Sequence, residues 1–226
     1  MKKFALIGLV VAIMFLAISC APNLVSYPPA AINPVVVKRL QNFKISSQMP
    51  SEEYGAAFKN VIENNKNTAV VYQEKSFPIF NQMYQKYQKK DFDGMDVLIA
   101  KAKIVNAEWA NSYLALKNAY EKLGEANKKI GNVAIKTKTE QLINVSKECI
   151  EEMLETINTI RKFLDMAEGY NRSRIEKNLS FLTKENEQKY NNIAESLHRS
   201  EDGLNKKWMY SLEISIELNK LLNNYR

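Results

Sequence analysis

Residues 143–164, which read INVSKECIEEMLETINTIRKFL, decide the fold. Apolar residues recur in this stretch every seven positions, at Ile143, Ile150, Ile157 and Leu164. A companion set follows three residues behind, at Ser146, Met153, Ile160 and Ala167. This repeat matches the a and d positions of a coiled-coil seam. Leu142, Cys149 and Phe163 widen the stripe, which favours a helical bundle over an isolated two-stranded coil.

A second long stripe lies upstream and predicts another buried helical face. Its members are three or four residues apart: Met95, Leu98, Ala102, Val105, Trp109, Tyr113, Leu116, Tyr120 and Leu123. That spacing places them on one side of a helix. We expect Gly124 and Gly131 to mark the end of this helix, and Gly169 to end or interrupt the next one.

Four further helices are predicted around these two. Ser51 is a suitable N-cap for a helix that ends at residues 64–67. A second helix runs from Thr68 to Lys89, and Pro78 should kink or break it. Towards the C-terminus, one apolar stripe is formed by Ile175, Leu179, Leu182, Tyr190, Ile193 and Leu197, with Asn186 interrupting it. Another begins near Glu201 and includes Leu204, Trp208, Leu212, Leu218, Leu221, Leu222 and Tyr225.

The predicted fold class is therefore all-α. We expect an elongated antiparallel helical bundle with coiled-coil-like packing, following a proline-rich tether. No strand-like alternation of useful length occurs after residue 50, and no repeat with a solenoid period is present.

The first twenty residues form a separate unit. Lys2 and Lys3 precede an apolar run from Phe4 to Ile18, and Ser19 and Cys20 close it. This stretch resembles a bacterial lipoprotein signal peptide, and residues 16–20 resemble its lipobox, although Ala17 stands where a larger aliphatic residue is usual. The resemblance implies cleavage before Cys20, a diacylglycerol on its sulfur and an acyl chain such as palmitate on its amino group. The alternatives are a plain N-terminal anchor helix and a cleaved signal without lipid.

This resemblance sets the predicted domains and location. Residues 1–19 are the signal peptide, residues 20–50 are the lipidated cysteine and tether, and residues 51–226 are the helical bundle. Four prolines, the last of them Pro34, argue against any helix in residues 21–37, although Val35, Val36 and Val37 can dock on the bundle. Because Ala21 rather than aspartate follows Cys20, the outer membrane is expected in a diderm host. In a monoderm host the outer face of the cell membrane is expected.

The charge pattern indicates a solvated surface. The chain has 226 residues and a formal net charge of +7, with both signs mixed along it. Two basic clusters stand out, Lys86, Lys89, Lys90 and Lys128, Lys129, Lys136, Lys138. They are interpreted as solvated helix ends, and contact with anionic lipid or acidic polymers is the alternative. Nucleic acid is not an expected partner, since the protein is predicted to be exported.

Two motifs resemble parts of metal sites. Glu195 and His198 share a helix face and resemble one half of a ferritin-like di-iron site. His198 is the only histidine, so this chain cannot supply the two histidines that such a site needs. Asp91, Asp93 and Asp96 resemble a calcium loop, but Asp93 as a helix cap and Asp96 in the first turn explain the same residues. No catalytic residue, metal ligand or cofactor site is predicted.

Cysteine and aromatic residues receive structural interpretations. Cys149 lies at an apolar helix position and is predicted to be a buried, inert thiol. The aromatic residues Trp109, Tyr113 and Tyr120 are predicted to belong to the core. Trp208, Tyr210 and Tyr225 are candidates for exposed binding residues.

The functional prediction is a non-enzymatic lipoprotein of the cell envelope. Its partners are the lipid bilayer, through acylated Cys20, and a protein that the helical module binds or scaffolds. The alternatives are a surface lipoprotein that binds host or matrix molecules, to which lysine-rich helical lipoproteins of spirochaetes are broadly similar, and a ligand or metal carrier. The sequence does not determine the oligomeric state.

Overall fold

The computed structural model describes residues 34–89, 91–176 and 183–225. Its elements are α1 (Pro34–Gln41), α2 (Glu52–Val70), a π-helical segment (Val71–Ser76), α3 (Phe77–Gln88), α4 (Met95–Lys128), α5 (Val133–Ile175) and α6 (Lys184–Asn223). The described ranges contain no strand, so the predicted all-α class is confirmed. None of the helices in these ranges is long and apolar enough to cross a membrane.

The four long arms alternate in direction. Helix α4 packs against α2 on one side and α5 on the other, and α6 packs against α5. In each pair the start of one helix lies beside the end of its neighbour: Glu53 of α2 pairs with Lys129 just after α4, Lys103 of α4 with Asp165 of α5, and Lys138 of α5 with Glu217 of α6. The fold is therefore an up-down-up-down four-helix bundle, in which α2, the π-helical segment and α3 together form the first arm.

The core consists of the stripes that the sequence predicts. All nine stripe residues of α4 are buried, and Trp109, Tyr113 and Leu116 have no exposed surface at all. In α5 every predicted seam residue is buried except Ala167, which is partly buried. Burying one large apolar side chain contributes about 1.5–3 kcal/mol, so these two faces supply much of the driving force for folding.

The first arm is continuous, whereas the sequence predicted a break at residues 64–67 and a kink or break at Pro78. The helix changes to π geometry at Val71, and the amide of Phe77 donates to the carbonyl of Tyr72. Proline in an α-helix clashes with the carbonyl four residues before it, which here belongs to Glu74. A π turn is wider than an α turn, and this gives the proline ring room within the helix.

Two predicted helix boundaries are also wrong. Gly124 lies inside α4 and Gly169 lies inside α5, because burial of the flanking stripes outweighs the cost of about 1 kcal/mol for a glycine in a helix. The two predicted C-terminal helices are one helix, α6, from residue 184 onwards. Ile175 ends α5 instead of starting a buried stripe and is 62% exposed.

A helix also forms within the predicted tether. Pro34 opens α1, where proline is tolerated because the first amides of a helix have no intrahelical acceptor. Leu40 is buried, and α1 contacts both α2 and α6. Beyond α1, the Ser46 amide donates to Asn219 Oδ1 over 2.8 Å, and Asn219 Nδ2 donates to the Lys44 carbonyl over 2.9 Å. Residues 38–50 therefore pack on the bundle, and the prediction that no helix forms in residues 21–37 is wrong from Pro34 onwards.

The helix starts use side-chain caps only in part as predicted. The Ser51 hydroxyl accepts from the Tyr54 amide over 3.1 Å, which confirms the predicted N-cap. At the start of α4 the cap is Gly94, not Asp93. Gly94 has a φ of 69°, a left-handed conformation that glycine adopts without steric cost. Asp96 lies in the first turn of α4, as predicted.

Replacing Gly94 and Gly203 by alanine should have opposite effects on stability. Neither position has an atom within 4 Å of an added Cβ, so packing does not change. Gly94→Ala should lower the free energy of unfolding by about 1–2 kcal/mol, because an L-residue is strained in the left-handed conformation. Gly203→Ala, within α6, should raise it by about 1 kcal/mol through helix propensity. Urea denaturation of both variants tests this, and equal shifts would contradict it.

Candidate functional site

One buried hydroxyl in the bundle interior connects all four long arms. Asn65 Nδ2 of α2 donates to the Tyr120 hydroxyl of α4 over 3.3 Å. Ser146 of α5 and Ser211 of α6 place their hydroxyl oxygens 2.8 Å apart, and both lie close enough to the Tyr120 hydroxyl to lower its pKa. We call Asn65, Tyr120, Ser146 and Ser211 the hydroxyl cluster. Each member is buried, so the cluster is a polar layer inside a largely apolar core.

The hydroxyl cluster is neutral at physiological pH. Burial raises the pKa of Tyr120, and the hydrogen bonds to Ser146, Asn65 and Ser211 only partly oppose that shift. A tyrosine that keeps its proton is not a general base at neutral pH. A polar cluster that takes one side chain from each of the four helices favours a single alignment of these helices. The cluster therefore fits a structural role in fixing the register of the bundle.

A second buried polar contact links the first arm to α5 near one end of the bundle. The Tyr54 and Thr139 hydroxyl oxygens are 2.7 Å apart, and Thr139 also donates to the Ile135 carbonyl over 2.8 Å. Desolvation raises the pKa of Tyr54 to about 12, although the bond to Thr139 opposes this. Both groups are thus neutral and satisfied.

Aromatic side chains fill another layer of the core. The ring centroids of Tyr72 and Trp109 are 5.0 Å apart, those of Trp109 and Tyr113 are 6.0 Å apart, and those of Tyr113 and Trp208 are 6.1 Å apart. Such spacings are favourable for offset and edge-on aromatic contacts. Within the described part of the chain, Trp109 Nε1, Tyr113 OH and Trp208 Nε1 find no hydrogen-bond partner. The predicted core placement of Trp109, Tyr113 and Tyr120 is confirmed.

The three C-terminal aromatic residues differ in exposure. Trp208 is buried in the aromatic layer, which agrees with its place on the predicted apolar stripe and removes it from the candidates for exposed binding residues. Tyr210 is exposed, and its hydroxyl accepts from Gln141 Nε2 over 2.9 Å. Tyr225 is partly buried against the core. Of the three, Tyr210 is the one available for contact with a partner.

Cys149 is buried, as predicted. Desolvation raises the pKa of its thiol to about 12, and nearby Lys207 only partly opposes this. Lys207 itself is paired with Glu152 and lies 3.8 Å from Glu148. Because the thiolate is the reactive form, a buried thiol with this pKa is unreactive at neutral pH.

For the candidate metal ligands Glu195 and His198, the structure describes the backbone only. Helix α6 contains Glu195 and His198 one turn apart, but their side chains lie outside the described set. Among the described side chains, no group of three histidine, cysteine, aspartate or glutamate residues is close enough to hold a metal ion.

The candidate calcium-loop residues make other contacts. Asp91 Oδ2 pairs with Lys86 Nζ at 2.7 Å, and its Oδ1 accepts from the Asp93 amide over 3.1 Å. The hydrogen bond from Lys86 is the main reason that the pKa of Asp91 is lowered. The turn before α4 is thus held by Lys86, which also donates to the Asp93 carbonyl.

The two predicted lysine clusters lie at opposite ends of the bundle, because α4 separates the turns that carry them. Most of the described lysines have partners: Lys86 pairs with Asp91, Lys128 with Glu125, Lys129 with Glu53 and Lys138 with Glu217. Lys90 lies outside the described residues. Paired, exposed lysines agree with the interpretation of these clusters as solvated helix ends.

Replacing Tyr120 by phenylalanine should destabilise the bundle far more than the same change at Tyr210. Tyr120→Phe leaves buried polar groups of Asn65, Ser146 and Ser211 with one partner fewer, which should lower the free energy of unfolding by about 1–3 kcal/mol. Tyr210→Phe removes an exposed bond and should change it by less than about 0.5 kcal/mol. Urea denaturation measures both. Equal losses of unfolding free energy in the two variants would show that the hydroxyl cluster does not stabilise the bundle more than an exposed hydrogen bond does.

The bundle should lose stability in alkaline solution. Burial raises the pKa values of Tyr54, Tyr113, Tyr120 and Cys149, with Tyr54 and Cys149 at about 12. Between about pH 9 and pH 12 the unfolded chain releases protons that the folded chain retains, so the free energy of unfolding falls as pH rises. Below about pH 8.5 these groups should have no effect on it.

Urea midpoints measured at intervals from about pH 7.5 to pH 11 test this expectation. Tyr54→Phe is the matched variant, because it removes one raised pKa and should make the fall shallower. A midpoint that stays constant up to pH 11 would contradict the assignment.

Comparison with known proteins gave no relatives. No family model matches the chain, and no curated protein or solved structure does so either.

Proposed function

We propose that this chain is a bacterial lipoprotein, anchored by acylated Cys20, that displays its four-helix bundle in the cell envelope as a non-enzymatic module for protein binding or scaffolding. The observation that carries the proposal is the stretch from Lys2 to Cys20. Its two lysines, apolar run, small residue and cysteine occur in the order of a lipoprotein signal. Stable anchoring by acyl chains takes at least two of them, which a diacylglycerol on Cys20 would supply.

The way the chain joins the bundle is compatible with such an anchor. Residues 44–46 bind Asn219 near the end of α6, and Glu53 at the start of α2 pairs with Lys129 in the α4–α5 turn. The N-terminal segment therefore enters the bundle at this end. Between Cys20 and Pro34 the chain spans at most about 50 Å when fully extended. With acylated Cys20 in a bilayer, the bundle would be attached through this end and held within about that distance of the membrane.

The chemistry of the described core supports a binding role over catalysis. The hydroxyl groups of Tyr54 and Thr139 bond to each other, as do those of Ser146 and Ser211, and burial keeps Tyr54, Tyr120 and Cys149 protonated. The ion pairs of the bundle, such as Lys75 with Glu108 and Lys138 with Glu217, lie outside this core, at the surface. Groups that neither ionise nor meet solvent stabilise a scaffold, and they leave the outer helix faces to make contacts.

Replacing Cys20 by alanine should move the protein from the membrane fraction to the soluble fraction. The matched control is Cys149→Ala, which removes the other cysteine and should leave the protein with the membranes. A thiol assay on the denatured, unsubstituted protein purified from membranes should find one free thiol, from Cys149, because acylation blocks the other. If Cys20→Ala stays with the membranes, or two thiols react, the anchor is wrong.

A further inference from the structure

The outer face of α4 differs from the other surfaces of the bundle. Val97, Ile104 and Leu114 are exposed by 52%, 62% and 47% of their surface. From residue 104 to residue 118, every exposed residue of α4 is uncharged: Ile104, Ala107, Asn111, Leu114, Ala115 and Asn118. The exposed face of α5 is instead rich in charge, with Glu140, Glu148, Glu151, Glu155, Arg161, Lys162 and Asp165. A long uncharged face is unusual on a chain with this many charged residues.

The uncharged face has the spacing of a coiled-coil seam. One set of its residues is seven positions apart: Val97, Ile104, Asn111 and Asn118. The companion set, three positions further on, is Ala100, Ala107 and Leu114. These are a and d positions, and they extend for about 30 Å along the helix. We call these seven residues the outer seam. It is distinct from the buried stripe of α4, so this helix has one seam inside the bundle and one outside.

Ion pairs to neighbouring helices border the outer seam on both sides. Glu108 pairs with Lys75 of the first arm at 2.8 Å. Lys103 pairs with Asp165 and Glu168 of α5 at 2.7 Å and 2.6 Å. An apolar strip with charged edges is the arrangement of a helix-pairing surface, in which the a and d residues pack and the e and g residues select the partner.

We infer that the outer seam of α4 pairs with the same seam of a second copy of this chain, with the two α4 helices parallel. In parallel coiled coils, β-branched residues at a with leucine at d favour two strands, and the outer seam has Val97 and Ile104 at a and Leu114 at d. Ala100 and Ala107 are small d residues, which let the two helices approach closely. In this arrangement each layer contains the same residue from both copies, as a two-fold axis requires.

The charged flanks are complementary between two copies. In a parallel pair a g residue faces the e residue five positions later in the other helix. Asp96 would then face Lys101 of the second copy, which is attractive. Lys103 would face Glu108 of the second copy, although each is already paired within its own bundle, so this second contact adds less. Lys117 would face Lys122, which is repulsive, and this change of sign coincides with the end of the uncharged seam at Asn118.

Asn111 determines the direction of pairing. In the parallel arrangement its amide lies opposite the same amide of the second copy, and the two can hydrogen-bond. In an antiparallel arrangement an a residue lies opposite a d residue, and the d residues of the outer seam, Ala100, Ala107 and Leu114, are all apolar. The asparagine would then be covered without a partner, which is unfavourable. The flanking charges permit either direction, so the asparagine decides.

This inference goes beyond the proposed function and does not depend on it, because it rests on α4 alone. The full chain in detergent should have the protein mass of two copies when measured by light scattering. Ile104→Glu should reduce that mass to one copy, because it places two carboxylates against each other in the seam. Val133→Glu is the matched control, since Val133 is 75% exposed but lies outside the seam, and it should keep two copies.

Cysteine cross-linking tests the direction. Val97→Cys alone should form a disulfide between two copies under mild oxidation, because a parallel pair places residue 97 beside itself. All cross-linking variants also carry Cys20→Ala, so that Cys20 cannot form a disulfide. The Cys20→Ala chain without a new cysteine, and its Val133→Cys variant, should not cross-link, since Cys149 is buried. Circular dichroism should show that both Val97→Cys and Ile104→Glu fold, as expected for exposed positions.

Three results would overturn the inference: a single-copy mass for the unsubstituted chain, a two-copy mass for Ile104→Glu, or cross-linking of Val97→Cys/Leu114→Cys without cross-linking of Val97→Cys. Failure here is distinguishable from failure of the anchor. The Cys20→Ala variant should still have a two-copy mass, because residue 20 lies outside the seam, whereas Ile104→Glu should still fractionate with membranes.

Discussion

Burial of the inner stripe of α4 is the constraint on which the rest of the structure depends. Helix α4 contacts both α2 and α5, and its largest stripe residues, Trp109, Tyr113 and Tyr120, are almost wholly buried. Tyr72 of the first arm and Trp208 of α6 pack against this aromatic series from different sides. Helices that must all cover one face have little freedom in where they lie. Covering the apolar stripe of α4 therefore limits how the other helices can be arranged around it.

Apolar burial alone does not fix the register of one helix along another. In this bundle, buried polar contacts fix it. Tyr120 can meet Asn65, Ser146 and Ser211 at once only when four helices share one register. Asn106 Nδ2 adds a further tie by donating to the Ile157 carbonyl over 3.1 Å. Each bond contributes only about 0.5–1.5 kcal/mol, but its loss leaves buried groups unpaired, so a shifted register is penalised more than the bond itself is worth.

The stripes of α4 and α5 could be predicted because periodic burial leaves a periodic pattern in the sequence. The helix boundaries could not be predicted, since they depend on the competition between local helix propensity and the burial of apolar side chains in the folded bundle. Gly124 and Pro78 lie inside helices because burial and a π turn compensate for them. Within the hydroxyl cluster, Ser146 was on a predicted seam and Tyr120 on a predicted stripe, whereas Asn65 and Ser211 have no local signal and become partners only through folding. The predicted site residue Cys20 lies outside the described residues.

The two faces of α4 show that one helix can have two apolar seams of the same periodicity, one buried and one exposed. The buried stripe is rich in aromatic and large aliphatic residues, which suits a face that several helices cover. The outer seam has smaller residues and two asparagines, which a solvated helix can carry without aggregating. An exposed aliphatic strip of this length costs free energy in water, and nothing in the packing of this bundle requires Val97, Ile104 or Leu114 to be apolar. Charged borders on both sides keep the strip narrow, so a partner must match its length and its charges to cover it.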